Sequence, residues 1–173
     1  LARRQRQQCL LELERAGVEG SRELRFLAVE RGNDLVPPLD KVRIRPPLPK
    51  PVNIDCMAVN YMEDGTRKEP APINAFHKSP GCVIGDGDTM VLPDVPAAIF
   101  EGEAELALVI GKRCRHVPVE RAHEVIAGYT CANDLSVRDW QGRAQTMTIG
   151  KSFDTHGPLG PWLVTRDEVA DPQ

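Results

Sequence analysis

The run Glu103-Ala-Glu-Leu-Ala-Leu-Val-Ile-Gly111 constrains this chain more than any other stretch. Its apolar residues are contiguous and rich in branched side chains, which predicts a strand. Alternate residues of a strand share a face. Glu103, Glu105, Ala107 and Val109 therefore point one way, and Ala104, Leu106, Leu108 and Ile110 the other. Both faces beyond the carboxylates are apolar, so the strand is expected to be buried on both sides. Two glutamates at the entrance of such a strand carry a desolvation cost and repel each other. A hard cation with oxygen ligands, such as Mg²⁺, Mn²⁺ or Ca²⁺, removes that cost. The alternative is a strand whose beginning is solvated, and spacing alone leaves both readings open.

The surrounding sequence narrows the fold class. Fifteen prolines and fourteen glycines among 173 residues predict many turns and short strands. Residues 3–16 read as a helix ended by Gly17, and residues 24–29 as a short strand or a helical turn. The proline-rich stretch 35–51 reads as an extended connector, with Val42 and Ile44 in an edge strand. These divisions give an N-terminal helical segment and connector over 1–45 and a β-rich domain over 46–173. Within the domain, Ile54 to Val59 reads as a buried strand and 60–72 as a loop that could serve as a lid. Gly85-Asp86-Gly87-Asp88 has the composition of a hairpin turn between Cys82–Ile84 and Thr89–Leu92. It lacks the remaining ligands of a calcium loop. Pro118 to Ala127 reads as a helix stopped by Gly128. Tyr129–Ala132 and Leu159–Thr165 read as strands, with a helical turn over 133–141 between them.

Charge and cysteines exclude several function classes. A net charge of −3 without a basic stripe argues against nucleic acid. No run of about 18 apolar residues is present to span a membrane. The five cysteines are widely spaced with no Cys-x-x-Cys, as expected for reduced thiols in a cytoplasmic protein. The chain does not begin with Met, so the natural N-terminus is expected upstream.

Asp134 ends a short apolar strand. With helical spacing after it, Asp134, Arg138 and Gln141 share one face, as a functional triplet or as a surface Asp–Arg pair of little energetic weight. Lys151 stands between Gly150 and Ser152. Taken alone it reads as a surface lysine.

Several stretches then match one family in order: Asn60-Tyr61, Phe76-His77-Lys78, Val83 to Asp88, Glu103-x-Glu105 through Gly111, Gly128-Tyr129-Thr130, Asn133-Asp134, Arg138-Asp139-x-Gln141, Lys151-Ser152-Phe153-Asp154-Thr155 and Gly157-Pro158-Leu159-Gly160-Pro161. The run from Asn60 to Gln173 resembles the fumarylacetoacetate hydrolase family. The resemblance implies an α+β, predominantly β fold, a mixed sandwich or roll, and a homodimer. It implies a divalent metal held by Glu103, Glu105 and Asp134, and a catalytic lysine at Lys151. Arg138, Gln141, Tyr61 and Lys78 fall on the substrate side. The implied substrates are small 2-oxo and 1,3-dioxo acids, often of aromatic catabolism, which members cleave, isomerise or decarboxylate. A metal Lewis acid would hold the enolate charge, with Lys151 and Arg138 adding positive charge nearby.

Two departures bear on the reaction. Family hydrolases place a histidine, then a glutamate, shortly after the Asn-Tyr pair to activate water. Here those positions are Asp64 and Arg67. An aspartate of ordinary pKa, about 3.9, is a weak base at neutral pH. Asp64 and Glu63 are the candidate replacements, with Glu69 and His77 nearby, although His77 is expected to pack. Plain hydrolysis is therefore not preferred over isomerisation or decarboxylation. The family's domain also continues beyond Gln173, so the domain is expected to be C-terminally incomplete. Both departures keep open a catalytically inactive relative or regulatory subunit that binds metal and an oxo acid.

Overall fold

The computed structural model describes residues 43–59, 68, 69, 71–143 and 145–172. The expected helix over 3–16, the element over 24–29, Val42 and most of the loop 60–72 lie outside the described residues.

The described residues form eight short strands, two single-turn α-helices and three short 3-10 segments. Strand β1 (Ile54–Met57) pairs antiparallel with β2 (Ala75–Lys78) as a two-stranded ribbon. Strands β3 (Val83–Ile84), β5 (Ala104–Ile110), β6 (Ile126–Asn133) and β8 (Gly157–Thr165) form one sheet in the order β3-β8-β6-β5. Its β5-β6 and β6-β8 pairs are antiparallel, and β3 runs parallel to β8. Strand β4 (Phe100–Glu101) pairs with β7 (Ser136–Val137). Helices α1 (Arg138–Gln141) and α2 (Thr148–Lys151) follow. This is the expected α+β, predominantly β class.

The apolar core is small: Phe76, Cys82, Val109, Tyr129, Leu135 and Val137 are buried, with Leu48 from the proline-rich stretch. Lys78, Thr130, Asp134, Ser136, Lys151, His156 and Thr165 are buried with them. A core this polar stands only if its charges pair, since an unpaired buried charge is very costly.

Several expectations are corrected. Strand β5 is buried on one face only. Val109 is covered, whereas Leu106, Leu108 and Ile110 are exposed, because no second layer packs on that side among the described residues. Strand β1 is likewise half-buried, with Met57 exposed. Ile44 lies in irregular chain rather than an edge strand. Residues 85–88 do turn, with the Asp88 amide donating to the Gly85 carbonyl at 3.2 Å, but no hairpin follows. Residues 89–92 form no strand, and β3 pairs with β8 instead.

The expected helix at 118–127 is a 3-10 segment over Val119–Val125, entered from Pro118. Gly128 does not stop it. It lies inside β6, where a Cβ would sit 2.2 Å from the Val164 carbonyl oxygen. Glycine is there for close approach of β6 to β8. The stretch 133–141 is not one helical turn either, because β7 intervenes and only Arg138–Gln141 is helical.

Candidate active site

The strand ladder brings the charged residues together. Ala104 pairs with Asn133 across β5 and β6, so Glu103 and Asp134 are neighbours at the end of the ladder. The Asp134 amide donates to the Glu103 carbonyl at 2.9 Å, and the Glu103 amide donates to Asn133 Oδ1 at 3.1 Å. The segment before β5 is held by α1: Asp139 Oδ2 accepts from the Ala98 and Ile99 amides at 2.7 and 2.9 Å. The Arg138 amide donates to the Ile99 carbonyl at 2.9 Å. With β4 paired to β7, these bonds align Glu101 and Glu103 beside the Arg138 side chain.

Helix α2 delivers Lys151. Gly150 packs against the start of the turn after α1, where a Cβ would lie 2.6 Å from the Gln141 nitrogen. Thr148 Oγ1 donates to the His77 carbonyl at 3.2 Å, and Ser152 Oγ accepts from the Ser79 amide at 2.9 Å. These contacts seat α2 on the end of β2 that carries Lys78. Met147 (φ 56°) and Thr155 (φ 68°), on either side of Lys151, both adopt the left-handed region. Such conformations cost roughly 1–3 kcal/mol each and persist only where the surroundings hold them.

The side chains form one chain of alternating charge. Lys151 Nζ, only 3 % exposed as a residue, donates to Glu103 Oε2 at 2.5 Å and to Asp134 Oδ2 at 2.7 Å. Lys78 Nζ donates to Asp134 Oδ1 at 2.6 Å, to the Leu135 carbonyl at 3.5 Å and to the Lys151 carbonyl. Arg138 pairs with Glu101 and Glu103, and its Nη1 donates to Gln141 Oε1 at 2.7 Å. Burial raises the Glu103 pKa, but the hydrogen bond and charge of Lys151, then Arg138, outweigh it and hold the carboxyl below its ordinary value. Burial disfavours the Arg138 cation, yet Glu101 and Glu103 outweigh that and raise its pKa.

Glu105 lies two residues beyond Glu103, is half-buried, and exerts its charge on the Cys56 thiol. Burial first, then the Asp134 carboxylate, push that thiol up to about 12.

Thus Glu103, Asp134, Lys151, Arg138, Gln141 and Lys78 are brought together. Tyr61, Glu63 and Asp64 lie outside the described residues. Glu69 is exposed. His77 does not pack: its ring is exposed and pairs with Asp55 at 2.6 Å. Asp134 and Arg138 do not share a helical face but are joined through Glu103, and Asp134 is no surface partner, being 5 % exposed. Lys151 is buried rather than superficial. Glu101 is the member that sequence reasoning missed, although Glu101, Glu103 and Glu105 already stood at alternate positions.

The donor set fits a hard cation by its chemistry: all three expected ligands are carboxylates, and oxygens from two of them converge on one positive group, the Lys151 ammonium. The full set is not gathered around one point, since no three His, Cys, Asp or Glu side chains among the described residues stand close enough to hold an ion.

The chain is 38 % identical over 141 residues to human (Homo sapiens) oxaloacetate tautomerase FAHD2A, mitochondrial, covering 78 % of this chain and 44 % of that protein. The crystal structure of 5-carboxymethyl-2-hydroxymuconate delta-isomerase from Mycobacterium smegmatis superposes with a TM-score of 0.69 at 37 % identity, covering 78 % of this chain and 51 % of that one. Maleylpyruvate hydrolase from Sphingobium sp. SYK-6, in complex with manganese(II) and pyruvate, gives 0.68 at 34 % identity, covering 95 % and 55 %. The chain therefore spans about half the length of these relatives. The family model for the C-terminal part of fumarylacetoacetate (FAA) hydrolase matches residues 53–173, which include every charged side chain of this cluster. The ordered motifs, the β-rich fold and these matches lead to one assignment: the chain belongs to the fumarylacetoacetate hydrolase family.

Proposed function

We propose that residues 46–173 form the catalytic part of a divalent-cation-dependent enzyme acting on small 2-oxo or 1,3-dioxo acids, with keto–enol tautomerisation of a 2-oxo diacid as its reaction. The observation that carries this reading is the convergence of Glu103 and Asp134 on one buried cation, with Arg138 and Gln141 beside them. A divalent ion held by Glu103, Glu105 and Asp134 would act as a Lewis acid toward the keto and carboxylate oxygens of such a substrate.

The chain's own residues supply the rest. Lys151 can carry a proton or stabilise negative charge at the substrate oxygen. Arg138, held by two glutamates, presents a fixed guanidinium, and Gln141 orients the substrate by hydrogen bonds. Tautomerisation moves a proton between carbon and oxygen and needs no activated water. It therefore does not depend on the histidine that this chain replaces with Asp64. The tautomerase and isomerase names among its relatives support the same choice. Mg²⁺ and Mn²⁺ are the proposed ions, the latter present in the maleylpyruvate hydrolase complex.

A second reading, a non-catalytic oxo-acid-binding relative, is favoured by one observation: among the described residues, no three ligating side chains are gathered close enough to hold an ion. Calorimetry with Mn²⁺, with and without oxalate as an enolate mimic, followed by an optical assay of oxaloacetate enol decay, separates the two. Mn²⁺ binding tightened by oxalate, with turnover that Glu103→Gln abolishes, is the expected result. Binding without turnover of any oxo acid leaves only the second reading. Absence of binding sinks both.

A further inference from the structure

Each carboxylate oxygen of Asp134 accepts from a lysine. Lys78 takes Oδ1 at 2.6 Å and Lys151 takes Oδ2 at 2.7 Å, and all three groups are 5 % exposed or less. The two lysines are not equivalent. An ammonium has three N–H donors. Those of Lys78 are engaged by Asp134 Oδ1, the Leu135 carbonyl and the Lys151 carbonyl. Two of these partners are main chain, so Lys78 is bound to the scaffold whatever happens to the carboxylates. In this arrangement its donors are directed at protein acceptors. Lys151 is held differently. Its partners are the carboxylates of Glu103 and Asp134, with the Phe76 ring 5.2 Å away. Nothing ties its ammonium to main chain in these contacts.

We infer that Lys78 is a fixed positioning residue and Lys151 an exchangeable counter-ion: a divalent cation taken up by Glu103 and Asp134 displaces the Lys151 ammonium into reach of substrate, while Lys78 keeps Asp134 in place. This rests on the proposed function and adds to it a coupling between cation occupancy and lysine availability. The physical reason is charge. An ammonium and a divalent ion on the same carboxylates are like charges at close quarters, and they repel. Of the two lysines, Lys151 is the one that can withdraw without breaking main-chain hydrogen bonds. The same exchange couples events: cation uptake frees the two Lys151 donors that Glu103 and Asp134 otherwise engage.

The test is lysine footprinting on the full chain. The protein is treated with a small amine-acylating reagent in EDTA and in saturating Mn²⁺, and Lys151 and Lys78 are quantified by peptide mass spectrometry. Mn²⁺ occupancy is read on the same samples by electron paramagnetic resonance. The expected result is a severalfold rise in Lys151 labelling with Mn²⁺ and continued protection of Lys78. Calorimetry on Lys151→Met should show Mn²⁺ bound about tenfold tighter or more, because the competing charge is gone. Should that variant not fold, the wild-type labelling decides alone. Mn²⁺ bound with Lys151 labelling unchanged or lower overturns the exchange and leaves the proposed function standing. Lys78 labelled in step with Lys151 overturns the division of roles. No Mn²⁺ bound by wild type or variant overturns the function and the exchange together.

Discussion

Replacing Lys78 with methionine should unfold this protein more readily than any exposed charge substitution. The side chain is 4 % exposed and its ammonium satisfies the Asp134 carboxylate and two main-chain carbonyls. Methionine keeps the volume and loses all three bonds. Breaking a buried ion pair from one side costs about 3–5 kcal/mol, because the remaining charge stays buried without compensation. Lys151 still touches Oδ2, so the lower half of that range applies to Asp134, and the two orphaned carbonyls add to it. The total is about 5 kcal/mol. For a chain of this size that is a fall in Tm on the order of 10 °C. Urea denaturation of wild type, Lys78→Met, Asp134→Asn and the double variant measures it directly. The double variant should lose less than the sum of the singles, since the second change removes the charge that the first left unpaired. A loss below about 1 kcal/mol for Lys78→Met, the scale of a solvated pair, would refute the argument, as would strict additivity.

Gly128→Ala should be strongly destabilising, by about 2 kcal/mol or more, because its Cβ would lie 2.2 Å from the Val164 carbonyl oxygen and β6 would have to leave β8; near-wild-type thermal stability would show that the two strands do not approach as described. His156 is fully buried, with no partner at Nδ1 and Nε2 3.2 Å from the Val91 carbonyl oxygen. Burial lowers its pKa, opposed by the Val91 hydrogen bond, with Lys78 adding to the lowering. The unfolded chain therefore takes up this proton first, and the stability this group contributes is present above about pH 6.5 and lost as pH falls below it. Urea midpoints for wild type and His156→Phe should converge or cross as pH falls from 7.5 to 5.5; parallel curves would exclude His156 as the cause.

The parts of the fold that were legible in sequence are those fixed by local periodicity. Strands β5, β6 and β8 follow from apolar runs, and their order along the chain is as expected. Partnering was not legible. Val83–Ile84 is followed by a well-formed turn, yet it pairs with Gly157–Pro158, more than seventy residues away, because tertiary packing outweighs turn chemistry. Gly128 misled for a related reason: glycine serves equally to end a helix and to admit a neighbouring strand, and only the position of Val164 decides between them. At the site, the carboxylates were legible because charge at alternate strand positions is costly without compensation. Lys78 and Lys151 were named through the family resemblance, but their burial was not legible, because it depends on partners that no local pattern reveals. Glu101 escaped because its strand, Phe100–Glu101, is only two residues long and is followed by Gly102, too short to read from periodicity.

Glu101, Glu103 and Glu105 stand at alternate positions from β4 through the two-residue link into β5, and the partners of Glu103 depend on Ala104 meeting Asn133 across the ladder. A one-residue slip of β5 would send the carboxylates to the opposite face while leaving the composition of the strand unchanged. The close approach of Gly102 to Asn133, with the Glu103 amide donating to Asn133 Oδ1, holds that alignment at the site end. The site is therefore encoded as a phase as well as a set of residues. Side-chain exchanges at Ala104, Leu106 or Leu108 leave the phase intact, whereas inserting or deleting a single residue between Gly102 and Val109 erases the site without touching one of its members.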